Sequence, residues 1–316
     1  MNTHKRNILI TGGAGFVGSC MADKMVEDQD NFVVIVDNLL TGSTKRLPDP
    51  KYKNWHFVKA DVNNYSEISA IMLSRHFDYV YHYAAVVGVK RTLDNPIMVL
   101  RDIEGFKYLL DLSKNTHIKR FFFSSSSEVY GEPFEHPQNE MTTPLNSRLP
   151  YAVVKNVGES FLKSYKQEFG LDYTIFRFFN TYGPKQSTDF VMSKFIKAAL
   201  ANQDITVYGD GSQTRTFCFV NDNIEATANA SYRDLHINDT VNIGSDQEIT
   251  ILDLAKTIIP VTGSKSNIVH LPPLEEGDMT RRKPDISKMK ALLDHRELTP
   301  IESGIQKILE NPNSII

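Results

Sequence analysis

The stretch Thr11-Gly12-Gly13-Ala14-Gly15-Phe16-Val17-Gly18-Ser19 decides the fold. It follows Asn7-Ile8-Leu9-Ile10, a short apolar run of strand type, and leads into a helical stretch over residues 19–27. A second apolar run, Phe32-Val33-Val34-Ile35-Val36, ends on Asp37. Strand, glycine turn, helix, strand and terminal acid is the layout that binds a dinucleotide. Gly12 permits the tight turn, Gly15 lets the backbone approach a pyrophosphate, and Gly18 lets helix and strand pack closely. The pyrophosphate then rests on N–H groups at the positive end of the helix, with Phe16 and Val17 leading into it. Asp37, with Asn38 beside it, would accept hydrogen bonds from a ribose 2′-hydroxyl and repel a 2′-phosphate. That favours NAD over NADP.

Bulk properties narrow the rest. A chain of 316 residues can hold two domains, or one large domain with an elaboration. A net charge of −3 without a dominant basic block argues against nucleic acid as a partner. Two cysteines, Cys20 and Cys218, make no disulfide framework and fit a reducing compartment. No window reaches the roughly 18 apolar residues of a membrane span, and the polar N-terminus is not of signal-peptide type. A cytoplasmic protein is the expectation. No cluster of His, Cys and carboxylates has metal-ligand spacing, so no metal is expected.

Apolar runs alternate with helix-like stretches through the first half, which predicts a Rossmann-like α/β fold, a doubly wound parallel sheet. Asp61-Val62 follows the strand Trp55-His56-Phe57-Val58. Asp61 there can reach an adenine amino group or cap the following helix, and both readings stand. The strand 79–83 ends in Ala84-Ala85, where small side chains leave room for a cofactor. Residues 97–114 predict one long helix. Phe121-Phe122-Phe123 opens a buried strand that runs into Ser124-Ser125-Ser126-Ser127-Glu128. The polar stretch 132–150 is long enough to be a loop near the site. A second long helix is predicted over 151–169, then a strand over 173–178. Beyond it the alternation loosens. The expected plan is an NAD domain over 1–178, rejoined by about 217–245. Residues 179–216 and 246–316 would form a smaller, discontinuous α/β substrate domain, with a proline- and charge-rich loop at 271–284.

Tyr151 and Lys155 lie one turn apart on a predicted helix and share a face. A tyrosine, with an ordinary pKa of about 10, is a poor base at neutral pH. A nearby ammonium, with the positive nicotinamide of NAD, would stabilise the phenolate and make it a usable base.

With these residues in place, the chain resembles the extended short-chain dehydrogenase/reductase family, in particular its nucleotide-sugar epimerases, dehydratases and decarboxylases. The glycine motif, Asp37-Asn38, Asp61-Val62, Ser-Ser-Glu-Val-Tyr-Gly at 126–131 and Tyr151-x-x-x-Lys155 carry the likeness. So do Arg177-Phe-Phe-Asn180, Gly209-Asp-Gly-Ser-Gln-Thr-Arg215 and Arg281-Arg282-Lys-Pro-Asp285. The resemblance implies transient oxidation at the sugar C4. Tyr151 would take the 4-hydroxyl proton, Ser126 would hydrogen-bond the same oxygen, and Lys155 would hold the nicotinamide ribose and lower the Tyr151 pKa. The 4-keto sugar then permits inversion at C4, loss of water across C5–C6, or loss of a C6 carboxylate.

The sequence places 4-epimerisation first. Dehydration, UDP-glucuronate-type decarboxylation and release of the keto sugar follow, with a non-catalytic NAD-binding regulator as the rival of another class. Glu128, two residues past Ser126 on a predicted strand, would share its face and could act as a base at C5, or could simply order the loop. Ser127 stands where many dTDP-glucose-type dehydratases carry an acidic Asp. Residues 84–92 resemble UDP-N-acetylhexosamine epimerases, which puts Arg91 at the sugar. Asn180, Arg215 and Arg282 or Arg281 would grip the diphosphate of a nucleotide sugar, UDP favoured; the two adjacent arginines are equally readable as a solvated charge run. Asp102-x-x-Gly105 departs from the Asn-x-x-Gly usual in the family. A homodimer is implied through the helices at 97–114 and 151–169; apolar Leu109, Phe161 and Tyr165 read as their outward faces or equally as ordinary core packing.

Overall fold

The computed structural model describes residues 5–132, 134–273 and 281–310. Strands and helices alternate in chain order: β1 (Arg6–Thr11), α1 (Phe16–Val26), β2 (Asn31–Asp37), β3 (Trp55–Lys59), α2 (Tyr65–Ser74) and β4 (Tyr79–His82). Next come α3 (Val89–Asp94), α4 (Pro96–Leu100), α5 (Asp102–Asn115), β5 (Arg120–Ser126), α6 (Pro150–Phe169) and β6 (Tyr173–Phe178). The remainder holds β7 (Thr181–Tyr182), α7 (Val191–Leu200), β8 (Ile205–Tyr208), β9 (Thr214–Thr216), β10 (Cys218–Phe219), α8 (Val220–Tyr232) and β11 (Asp239–Ile243). It ends with β12 (Glu248–Thr250), α9 (Ile251–Val261), β13 (Ile268–Leu271), α10 (Ser287–Leu292) and α11 (Ile301–Leu309).

The central sheet has seven strands in the order β11-β6-β5-β4-β1-β2-β3. β1 pairs in parallel with both β2 and β4, β2 with β3 and β4 with β5. Strand order therefore reverses at β1, and the crevice beyond the carboxyl ends of β1 and β4 is where such sheets take ligands. A sheet covered on both faces favours continuous apolar strands. β5, buried along its whole length, is apolar at Phe121–Phe123 and carries Arg120 and three serines at its ends.

The chain divides into two compact units. The first comprises residues up to Val129, Ser147–Arg177 and Thr227–Val241; the second comprises Tyr130–Asn146, Phe178–Ala226 and residues from Asn242. Tyr130–Asn146, placed by sequence within 1–178, groups with the second unit, and the return to the first begins at Thr227 rather than about 217. The reason is pairing. β9 bonds β12 and β10 bonds β7, so neither enters the central sheet. Of the predicted loop 271–284, residues 274–280 lie outside the described residues.

The predicted helix over 97–114 is two helices, α4 and α5, parted at Arg101. α1 begins at Phe16, three residues before its expected start. In the first unit, Leu9, Val34, Val80, Phe121 and Phe123 of the sheet pack with Phe106 and Leu109 of α5 and Leu162 and Tyr165 of α6. Leu109 and Tyr165 are buried in this core, and Phe161 packs against it. Leu109 and Tyr165 thus follow the core-packing alternative, and Phe161 is half-buried. The second unit has its own core, built from Phe195 and Ile196 of α7, Leu254 and Ile258 of α9, and Ile305 and Ile308 of α11.

One buried ion pair ties α6 to the sheet. Arg177 on β6 donates from Nε and Nη2 to the two Glu159 oxygens at 2.9 and 2.7 Å, and Ser125 Oγ donates to Glu159 Oε1 at 2.6 Å. Both charged side chains are almost wholly buried. Removing one partner strands the other charge in an apolar setting. Glu159→Ala is expected to cost about 3–5 kcal/mol, read from urea unfolding, whereas Glu159→Leu combined with Arg177→Met should recover most of the loss.

Candidate active site

The glycine turn is built by exclusion. Gly12 has φ +68°, and a Cβ there would lie 2.5 Å from the Ala84 backbone nitrogen. A Cβ on Gly18 would lie 2.3 Å from the Gly12 carbonyl oxygen, and one on Gly15 3.0 Å from it. β1, its turn and the Ala84-Ala85 segment after β4 thus meet backbone to backbone. Gly15 starts α1 without a side-chain cap, which leaves the N–H groups of the first turn, at Phe16, Val17 and Gly18, to a ligand. Asp37 closes the turn from β2: its carboxylate accepts from Ala14 N at 3.0 Å and Leu39 N at 2.8 Å. Burial pushes that carboxyl up, with those N–H groups and Arg46 opposing. Arg46 is itself buried, a neighbour of Asp37 that no sequence pattern had pointed to. This cradle, made of bare backbone and one carboxylate, fits a dinucleotide.

Asn38 and Asp61 are joined, Asn38 Nδ2 to Asp61 Oδ2 at 3.2 Å. The cap of α2 belongs to Asn64, whose side chain accepts from Ser66 N, so capping is not the work of Asp61. Val62 is buried in the core.

At the carboxyl end of β5 the catalytic candidates come together. Ser126 is the last residue of the strand, and its hydroxyl favours ionisation of the Tyr151 phenol. Lys155 is buried, donates from Nζ to the Ser124 carbonyl at 2.6 Å, and stands 5.8 Å from the Tyr151 ring centroid. Burial lowers its pKa to about 8, with the Asp102 carboxylate opposing. Burial raises the Tyr151 phenol above its ordinary range; Ser126 pulls it down, while Glu128 and Asp102 push it further up. The expectation that Lys155 lowers the phenol is not met by the chain by itself, because the ammonium is turned onto a backbone carbonyl.

Glu128 is not on a strand. β5 stops at Ser126, and Ser127–Tyr130 form a 3-10 turn in which Glu128 N donates to Ser126 Oγ at 3.2 Å. The same-face argument from strand alternation therefore fails, although the carboxylate still acts on the phenol electrostatically. His82 is a core histidine, as expected: Nδ1 bonds Thr11 Oγ1 at 2.7 Å, and burial drops its pKa to about 3.

Arg91 lies on α3 and donates to the Val87 carbonyl at 2.7 Å. The remaining substrate candidates belong to the second unit. Asn180 Nδ2 donates to the Thr216 carbonyl at 3.3 Å, which brings it to β9, the strand that carries Arg215. Arg281 is exposed and paired through Nε and Nη2 with Glu248 at 2.6 and 2.8 Å. Arg282 is buried, so the pair is not a solvated charge run.

A family model for GDP-mannose 4,6 dehydratase matches residues 9–308. The chain belongs to this family, among the extended short-chain dehydrogenase/reductases. A UDP-glucuronic acid decarboxylase 1 from Danio rerio is 35% identical over 97% of this chain and 72% of its own length. A UDP-N-acetyl-alpha-D-glucosaminuronate decarboxylase from Bacillus cytotoxicus is 34% identical over 97% of both. The crystal structure of Thermus thermophilus UDP-glucose 4-epimerase in complex with NAD superposes with a TM-score of 0.88 at 26% identity, covering 98% of this chain and 99% of that one. The family member described here is accordingly an NAD-dependent nucleotide-sugar enzyme. Among the described residues no group of His, Cys, Asp and Glu could hold a metal, and no helix is long and apolar enough to cross a membrane.

Gly18→Ala tests the cradle. The new methyl must displace the Gly12 carbonyl, so NAD affinity should fall at least about tenfold by calorimetry, about 1.4 kcal/mol.

Proposed function

We propose that this protein decarboxylates a nucleotide-linked hexuronic acid, with UDP as the nucleotide, through a 4-keto sugar. The observation that supports the reading is that Glu128 is the one acidic side chain in the segment 126–131 that follows the strand end. Ser126, Tyr151 and Lys155 can serve oxidation at C4, and Glu128 stands beside them. The position next to Ser126 is a buried serine, Ser127, where many dTDP-glucose-type dehydratases carry the acidic Asp that expels water. Dehydration needs such an acid; decarboxylation does not. The two decarboxylase relatives, aligned over nearly the whole chain, support the same choice over the epimerase that the sequence placed first.

Tyr151 takes the proton of the 4-hydroxyl as C4 is oxidised, and Ser126 hydrogen-bonds that oxygen. Bound NAD supplies the hydride acceptor and a positive charge, which favours the phenolate that burial opposes. The cradle formed by Gly12, Gly15, Phe16, Val17, Gly18, Asp37, Asn38, Asp61, Val62, Ala84 and Ala85 would hold it. A ketone at C4 makes the C6 carboxylate a β-keto acid. Its C5–C6 bond breaks, carbon dioxide leaves, and the electron pair passes into an enolate between C5 and C4. C5 gains a proton drawn from solvent, and Glu128, once protonated, is assigned to relay it. Tyr151 returns its proton to O4 as the ketone is reduced. Asn180, Arg215 and Arg282 are assigned to the diphosphate, and Arg91 to the sugar.

Epimerisation at C4 remains the second reading, favoured by the likeness to the Thermus epimerase and by residues 84–92. Incubation with UDP-glucuronic acid and UDP-N-acetylglucosaminuronic acid, followed by mass spectrometry and NMR, separates the two. The expected product has lost carbon dioxide; a product of unchanged mass and inverted C4 would establish the epimerase instead. Tyr151→Phe should lower turnover about 10²–10⁴-fold. A Tyr151→Phe protein as active as wild type would leave only a non-catalytic NAD-binding role. Glu128→Gln should slow decarboxylation and would leave simple epimerisation unchanged.

A further inference from the structure

Among the described residues, one carboxylate lines the small cavity against the Lys155 side chain, and it is Asp102. The cavity is about 10 Å³, shared with His82, Ala84, Phe106, Phe123 and Val154, and has room for one water at most. Charges that face such a space are weakly screened. Asp102 is the first residue of α5, and its orientation is imposed from two sides. Val86 N donates to Oδ2 at 2.8 Å, and Asn63 Nδ2 donates to Oδ1 at 3.3 Å. Asn63 is held in turn, since its Oδ1 accepts from Gly105 N at 3.0 Å. Gly105 has no space for a Cβ, which would lie 2.4 Å from that same Asn63 oxygen. The carboxylate is therefore aimed.

We infer that Asp102 is a positioning residue, whose carboxylate keeps the buried Lys155 ammonium charged and seated against the Ser124 carbonyl. An ammonium this deeply buried is driven toward its neutral form, and the attraction to Asp102 is the one opposing charge effect on it. The groups around Lys155 sort clearly. His82 on β4 is neutral, Tyr151 is a neutral phenol one turn away, and Glu128 acts on Tyr151. Asp61 acts on Asp102. Asp102 also disfavours ionisation of Tyr151, but as the weakest of the causes acting there. Its net service is to the lysine. The catalytic consequence rests on the reading above, in which Lys155 serves the Tyr151 phenol; the charge pairing does not.

The pairing is measured without substrate. Protein labelled with ¹³C at lysine Cε is titrated by NMR, with Lys155→Met assigning the resonance. Wild-type Lys155 should titrate near pH 8. In Asp102→Asn the midpoint should fall by about one pH unit or more, and in Asp102→Glu it should stay near the wild-type value. A folded Asp102→Asn protein with an unmoved midpoint overturns the inference. Should that variant fail to fold, Asn63→Ala frees one side of the carboxylate, with a smaller fall in midpoint expected and an unmoved midpoint again decisive against. A moved midpoint in a protein that turns over no sugar nucleotide would sink the proposed function and leave the pairing intact.

Discussion

The backbone after β1 passes so close to the backbone after β4 that no side chain fits between them. Gly12 meets Ala84 there, at the point where the strand order of the sheet reverses. Everything proposed for the first unit follows from that contact. It sets the start of α1 within one turn of the strand end, leaves first-turn N–H groups without a capping side chain, and fixes the level at which Ala84 and Ala85 emerge. Asp37 reinforces the arrangement from the other side by accepting the Ala14 N–H. A carboxylate that holds its own turn is also preorganised toward a ribose, since its remaining lone pairs have a fixed direction.

The end of β5 poses a different problem, one of charge. Burial works against both groups the chemistry needs, lowering Lys155 and raising Tyr151. A phenolate and an ammonium stabilise each other, yet the lysine is anchored to the Ser124 carbonyl rather than to the phenol. The chain thus builds a site that is quiet by itself. A further positive charge beside Tyr151 would favour its ionisation, so in the proposed mechanism base strength would depend on cofactor occupancy.

The sheet was legible because its strands carry apolar runs such as Ile8-Leu9-Ile10 and Phe32-Val33-Val34-Ile35-Val36, which doubly covered sheets favour. The glycine turn, Ser126, Tyr151 and Lys155 were legible because their spacing is dictated by local backbone geometry. What failed was reasoning that extended a period beyond its element. Glu128 was given the face of Ser126 by strand alternation, but the strand ends at Ser126 and the rule ends with it. Residues 97–114 keep a helical pattern across Arg101, so the break between α4 and α5 leaves no mark in composition. Leu109 and Tyr165 could be read as outward or as core, and they lie in the core. A pattern gives the period of a face, and tertiary packing decides which way it points.

Partners far apart in sequence were the least visible. An arginine inside Tyr-Thr-Ile-Phe-Arg-Phe cannot be buried alone, so Arg177 announced that an acid must exist without saying which. Glu159, on the buried face of α6, fulfils it. Asp102 follows the same logic with a different result. Its carboxylate has hydrogen bonds but no ion pair at contact distance among those described, and the strongest charge acting on it is that of Lys155. The first pair is closed and serves the fold. The second joins groups that line one cavity, with the lysine bonded to the strand end.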